Sequence, residues 1–131
     1  MIEVRGMMHE RGAVRKAIKT LVQGREAIKG GWCKGEYVKH EGAMYGGEVL
    51  KQDAFCAIGA IRKQPQEDLA ADLLVAGALK VNPTSKILKK KSFGAAQDAI
   101  IYWNDRRNRT KSDVLRAYRH AINIGTRLLA R

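Results

Sequence analysis

Residues 103–131, WNDRRNRTKSDVLRAYRHAINIGTRLLAR, decide how the chain folds. They read as the end of one helix, a short polar loop, a helix start and a long amphipathic helix studded with arginine. Val114, Leu115, Tyr118, Ala121, Ile122, Gly125, Leu128 and Leu129 recur at spacings of three, four and seven. That places them on one face of an α-helix long enough to anchor a core. Thr110 or Ser112 is the expected N-cap. Thr110 has Asp113 three residues on, a near relative of the capping box, and an acid there also suits the positive end of the helix dipole. The opposite face carries Lys111, Arg116, Arg119, His120, Asn123 and Arg127, so the helix turns an oily side inward and a cationic side outward.

Working outward, 131 residues make one domain, 1–131, large enough to bury a core without staples. The charge balance is less ordinary: 25 Lys and Arg against 13 Asp and Glu, a net charge of +12. From Thr84 onward twelve basic residues face three acidic ones, Asp98, Asp105 and Asp113. Such a surface attracts nucleic acid, anionic lipid or an acidic protein. The start, MIEVRGMMHERG, lacks the apolar core of a signal peptide, and no run approaches transmembrane length. These features predict a cytoplasmic protein with no membrane contact. Cys33 and Cys56 are then reduced thiols.

Ahead of the decisive stretch, residues 1–8 read as a frayed or short extended piece. Residues 10–29 form a first helix with Val14, Ile18, Leu21, Val22 and Ile28 as its stripe, stopped by Gly30-Gly31. The segment 32–50, WCKGEYVKHEGAMYGGEVL, is too rich in glycine for a long helix. Tyr37, Val38, Met44, Tyr45 and Val49 suit a small hairpin or a functional loop. A helix is expected from Asp53 to Gln64. Its small residues Cys56, Ala57, Gly59 and Ala60 would let another backbone approach closely, as a central, tightly crossed helix requires. A helix over 66–80 follows, with Leu69, Leu73, Ala76 and Leu79 inward and Glu67, Asp68 and Asp72 solvated. Asn82-Pro83 marks a turn, SKILKKKS a loop or short helix, and Ser92 caps a helix through Phe93, Ala96, Ile100 and Trp103.

Few residue sets invite chemistry. Structural zinc wants four ligands, usually in CxxC-like pairs, and this chain offers two lone cysteines and three scattered histidines. Neither a metal nor a cofactor is expected. A thiol nucleophile needs a base within reach, and His40 or His120 is available to Cys33 or Cys56. A cysteine among small apolar residues is more often plain core. The corner Trp103-Asn104-Asp105 beside Arg106, Arg107 and Arg109 reads two ways. The arginines suit phosphate contacts near a helix N-terminus. Trp103 would seal the core, while Asn104 and Asp105 tie the loop to the following helix. Trp32 and Tyr37 either stack on bases or plug one end of a bundle. No phosphate-binding glycine loop, dinucleotide fingerprint, HExxH or nucleophile elbow is present.

Three blocks in order, Trp32-Cys33-x-Gly35-x-Tyr37, Cys56-Ala57-Ile58-Gly59-Ala60 and Trp103-Asn104-Asp105 with Arg109-Thr110 and Val114, resemble a family of small uncharacterised proteins of bacteriophages and actinobacteria. The likeness spans residues 32–118. It implies a phage or prophage accessory protein working in a bacterial cytoplasm.

The combined expectation is an all-α bundle of four or five helices with a Gly-rich loop or small hairpin after the first. The leading function is a non-enzymatic binder that docks Lys89, Lys90, Lys91, Arg106, Arg107, Arg109, Arg116 and Arg119 onto nucleic acid or an acidic protein. The alternatives are a small enzyme with a pocket around Trp32, Cys33, Tyr37, Cys56, Trp103, Asn104 and Asp105, and a virion structural or assembly component. Oligomeric state is not legible.

Overall fold

The computed structural model describes residues 1–39, 44–45, 48–49, 53–89 and 96–131. Expectations about His40, Gly42, Gly46-Gly47, Lys90, Lys91, Ser92 and Phe93 fall outside them. The elements run β1 (Ile2–Val4), β2 (Met7–His9), α1 (Arg11–Gly30), β3 (Val38–Lys39), β4 (Met44–Tyr45), β5 (Glu48–Val49), β6 (Ala54–Phe55), α2 (Glu67–Val81), α3 (Lys86–Lys89), α4 (Ala96–Asn104) and α5 (Lys111–Ala130). The molecule is mostly helical but not all-α, because short antiparallel strand pairs join β1 to β2, β3 to β6 and β4 to β5.

The extended piece at the start is a hairpin. Arg5 and Gly6 both take positive φ, 49° and 84°, as the two central residues of a tight hairpin turn require. Ile2 and Val4 then face the core, and Arg5 reaches Asp72 at 3.1 Å.

The helix expected over 53–64 is absent. Ala54–Phe55 is a strand paired with Val38–Lys39, and the chain then proceeds through successive turns to Gln66. Bonds from Ala60 N to Cys56 O and Arg62 N to Ile58 O are mixed with shorter ones, Ile61 N to Ile58 O and Gln64 N to Ile61 O. The small residues do serve close approach: a Cβ on Gly59 would lie 1.9 Å from the Tyr37 carbonyl oxygen. The partner there is the Gly-rich segment, and its pairing pulls Ala54–Phe55 out of any helix.

The central helix is α2. Leu69, Ala70, Ala71, Leu73, Leu74, Val75, Gly77 and Ala78 are all buried, and the helix packs against α1, α4 and, most extensively, α5. A helix apolar nearly all round is a buried helix. Its run from Leu73 to Leu79 contains no polar side chain to hold it at the surface. At the crossing, Gly77 admits the α5 backbone: a Cβ there would stand 2.2 Å from Ala117 O and 2.7 Å from Ala121 N.

Helix α5 buries Val114, Ala117, Tyr118, Ala121 and Gly125, on the face that the spacing predicts. Helices α1 and α5 run antiparallel, since Arg11 donates to Leu129 O at one end and Lys111 Nζ to Lys29 O, at 2.8 Å, at the other. Val22 of the α1 stripe is exposed. Val14, Ala17, Thr20, Leu21, Gly24 and Ile28 face inward in its place. Among the described residues no helix is long and apolar enough to cross a membrane.

Candidate functional site

Asn104, the last residue of α4, joins the three sequence blocks. It is fully buried. Its Oδ1 accepts from Trp32 Nε1 at 2.8 Å and from Ala57 N at 2.9 Å, and its Nδ2 donates to Cys33 O at 3.1 Å and to Asp105 Oδ1 at 3.0 Å. Asp105 in turn accepts from Gly35 N at 2.9 Å. Their tie therefore runs backward to the Gly-rich segment and the 56–64 turns, not forward to α5. Lys34 adds to it: Nζ donates to Arg106 O at 2.7 Å and Arg107 O at 3.2 Å while lying 5.4 Å from the Trp32 ring.

The thiols sit at the edge of this knot as packing. Cys56 is 3% exposed, and its Sγ accepts from Gly59 N at 3.2 Å. Burial pushes its pKa up, against the lowering effect of that backbone bond. Cys33 is shifted the same way, first by burial and then by the nearby Cys56 and Glu36. A thiol held protonated is the reverse of an activated nucleophile. Tyr37 lies on the surface, its ring 4.1 Å below the Arg62 guanidinium. The expected pocket set is thus mostly a filled hydrogen-bond knot.

Trp103 belongs elsewhere. It is 1% exposed, and its Nε1 donates to Asn82 Oδ1 at 3.1 Å. Arg109 stacks over its ring at 4.1 Å. Arg109 also donates from Nε to Trp103 O at 2.9 Å and from Nη1 to Asn82 Oδ1 at 2.7 Å, with Asp113 Oδ2 at 3.7 Å. The guanidinium is thereby fixed at three points.

Trp103, Asn82 and Arg109 form the floor of a cleft of about 580 Å³ between two turns. One wall is Asn82, Thr84, Ser85, Lys86 and Ile87. The other is Arg106, Arg107, Asn108 and Arg109. Among the described residues, four cations and no carboxylate line it. Arg109's pKa is lowered, mainly by burial and also by Arg106, although Asp113 opposes the shift. Arg106, Arg107, Lys86 and Lys89 are exposed and make no ion pair among the described residues.

A cationic surface continues along α5. Arg116 donates to Asp113 Oδ1 at 2.7 Å, so this carboxylate serves both Arg109 and Arg116. Beyond it, Arg119, Lys80 and Arg116 all lie close enough to His120 to reinforce burial in lowering its pKa. Of the residues expected to contact a polyanion, Arg106, Arg107 and Arg109 therefore share one cleft. Arg116 and Arg119 flank His120, Lys89 lies one helical turn beyond Lys86, and Lys90 and Lys91 are outside the described residues. Lys86, Asn82, Thr84, Ser85 and Asn108 were not singled out by sequence. Lys86 stands in the same lysine run, but nothing in linear spacing brings residues 82–87 beside 106–109.

A family model matches residues 13–124. The chain belongs to DUF6197, a family of unknown function. The matched span takes in the Asn104 knot and the whole cleft. No curated protein and no solved structure matches the chain.

Proposed function

We propose that this protein is a non-enzymatic nucleic-acid-binding protein that grips phosphates with the cleft and the adjoining face of α5. The supporting observation is that Lys86, Arg106, Arg107 and Arg109 line one cleft with no carboxylate among its described lining residues, and that, among the described residues, only Arg109 of the four has an acidic partner, Asp113. Gathering like charges in a partly enclosed site is unfavourable unless an anion offsets it. Asn82, Thr84, Ser85 and Asn108 supply neutral donors and acceptors beside the cations, the mixture that serves phosphate and sugar. An acidic protein is a poorer fit, because a protein interface centres on an apolar patch. The large exposed apolar residues Met1, Met7, Met8, Val22, Tyr37 and Tyr102 all lie outside this lining. The resemblance to phage and actinobacterial proteins supports a bacterial cytoplasm as the setting.

Binding of a labelled mixed-sequence oligonucleotide, followed by fluorescence anisotropy across a salt series, tests the proposal. Affinity is expected to fall linearly on a log–log plot, and Arg107→Ala to reduce the slope by about 1. Binding that ignores salt, or tighter binding of poly-glutamate than of the oligonucleotide, would overturn it.

A further inference from the structure

Building on the nucleic-acid reading, we infer that the cleft admits a single strand and excludes a duplex, with the strand's backbone held between Lys86 on one wall and Arg106 and Arg107 on the other. Proteins that read a duplex push a helix or ribbon into its groove, or lay cations along its outer phosphates. Here the cations line a concavity, so the phosphates must enter the protein. About 580 Å³ falls within the volume range of pockets that hold one compact ligand. The full width of a double helix does not fit such a space, whereas a nucleotide of a single strand does.

The floor of the cleft supports the same inference. Single strands are held by cations along the backbone and by planar groups on which bases stack. The Trp103 ring is covered and out of reach, but the Arg109 guanidinium over it supplies a planar group in its place: it sits 4.1 Å from that ring and is fixed through Nε and Nη1. Its Nη2 has no hydrogen bond among the described residues. Asn82 is occupied by Trp103 and Arg109, whereas the side chains of Thr84 and Asn108 have none of their hydrogen-bonding capacity engaged in a described bond. They are free to meet base edges or sugar hydroxyls.

The test compares a labelled single strand, a hairpin duplex of the same composition and a free mononucleotide at one fixed salt concentration. The proteins are wild type, Lys86→Ala and, as a control on the far helix α1, Lys16→Ala, with circular dichroism confirming that each is folded. Both altered side chains make no described contact that holds the fold. The single strand is expected to bind about tenfold more tightly than the duplex, an advantage that Lys86→Ala removes and Lys16→Ala keeps. Equal or tighter duplex binding would overturn the single-strand assignment and leave the nucleic-acid reading standing. A mononucleotide that binds as tightly as the strand would overturn it in favour of a nucleotide pocket. Failure of both oligonucleotides to bind removes the nucleic-acid reading itself.

Discussion

Asn104 shows what one amide does when it is buried with every capacity used. It meets Trp32, Ala57, Cys33 and Asp105 at once, joining segments that are otherwise far apart in the chain. Truncation leaves the Ala57 N–H and the Cys33 carbonyl buried, and the Trp32 indole N–H part-buried, without this partner. Asn104→Ala is therefore expected to lose about 2–4 kcal/mol of stability, read from urea unfolding followed by tryptophan fluorescence. The same melt on Asn108→Ala, an exposed residue with no described side-chain bond, should stay within about 0.5 kcal/mol of wild type. That Asn104 is structural was legible from its place beside Trp103. Its partners Trp32, Ala57 and Cys33 were not, because they lie 47 to 72 residues away.

Helix α5 was readable almost completely because its determinants are local. Thr110 Oγ1 accepts from Asp113 N at 3.1 Å and Thr110 N donates to Asp113 Oδ2 at 3.1 Å, a closed capping box. Thr110→Ala should cost about 1 kcal/mol in a thermal or urea melt. Burial alone would raise the Asp113 pKa, but hydrogen bonds from Arg116 and from Thr110, with Arg109 nearby, hold it below its usual value. A folded value below the unfolded one means that the contribution is complete above the ordinary carboxylate range. It is lost as the pH falls through the folded value. Urea melts from pH 7 down to pH 2 are expected to show a shallower acid loss for Asp113→Asn than for wild type. Two glycines give a contrast between helices. Gly77→Ala drives a methyl into the α5 backbone and should cost about 3 kcal/mol, whereas Gly12→Ala in α1 meets nothing within 4 Å and should gain about 0.5–1 kcal/mol. The helix misread over 53–64 failed for the opposite reason. Its composition is helical, but pairing with Val38–Lys39 and the close approach of Tyr37 to Gly59 decide its shape.

At the scale of the whole molecule, the cleft and the α5 face are electrostatically expectant. His120 reports on this, being flanked by Lys80 from α2 and by Arg116 and Arg119 on its own helix. Its pKa is expected below the ordinary histidine value. It should climb when salt screens these cations or when an oligonucleotide binds over them, as an NMR titration of the imidazole would show. A His120 pKa unmoved by saturating oligonucleotide would confine the binding surface to the cleft. By itself the sequence determined the amphipathic α5, its start at Thr110 or Ser112, the extent of α1 and α2, the end of α4, and the excess of positive charge, because each depends on residues within a few positions of one another. Only the tertiary structure decided which helix is central, that Ala54–Phe55 is a strand, and that residues 82–87 and 106–109 face each other across a cleft. Those outcomes depend on contacts between distant segments, where burial, backbone pairing and the packing of Trp103 under Arg109 override local preference.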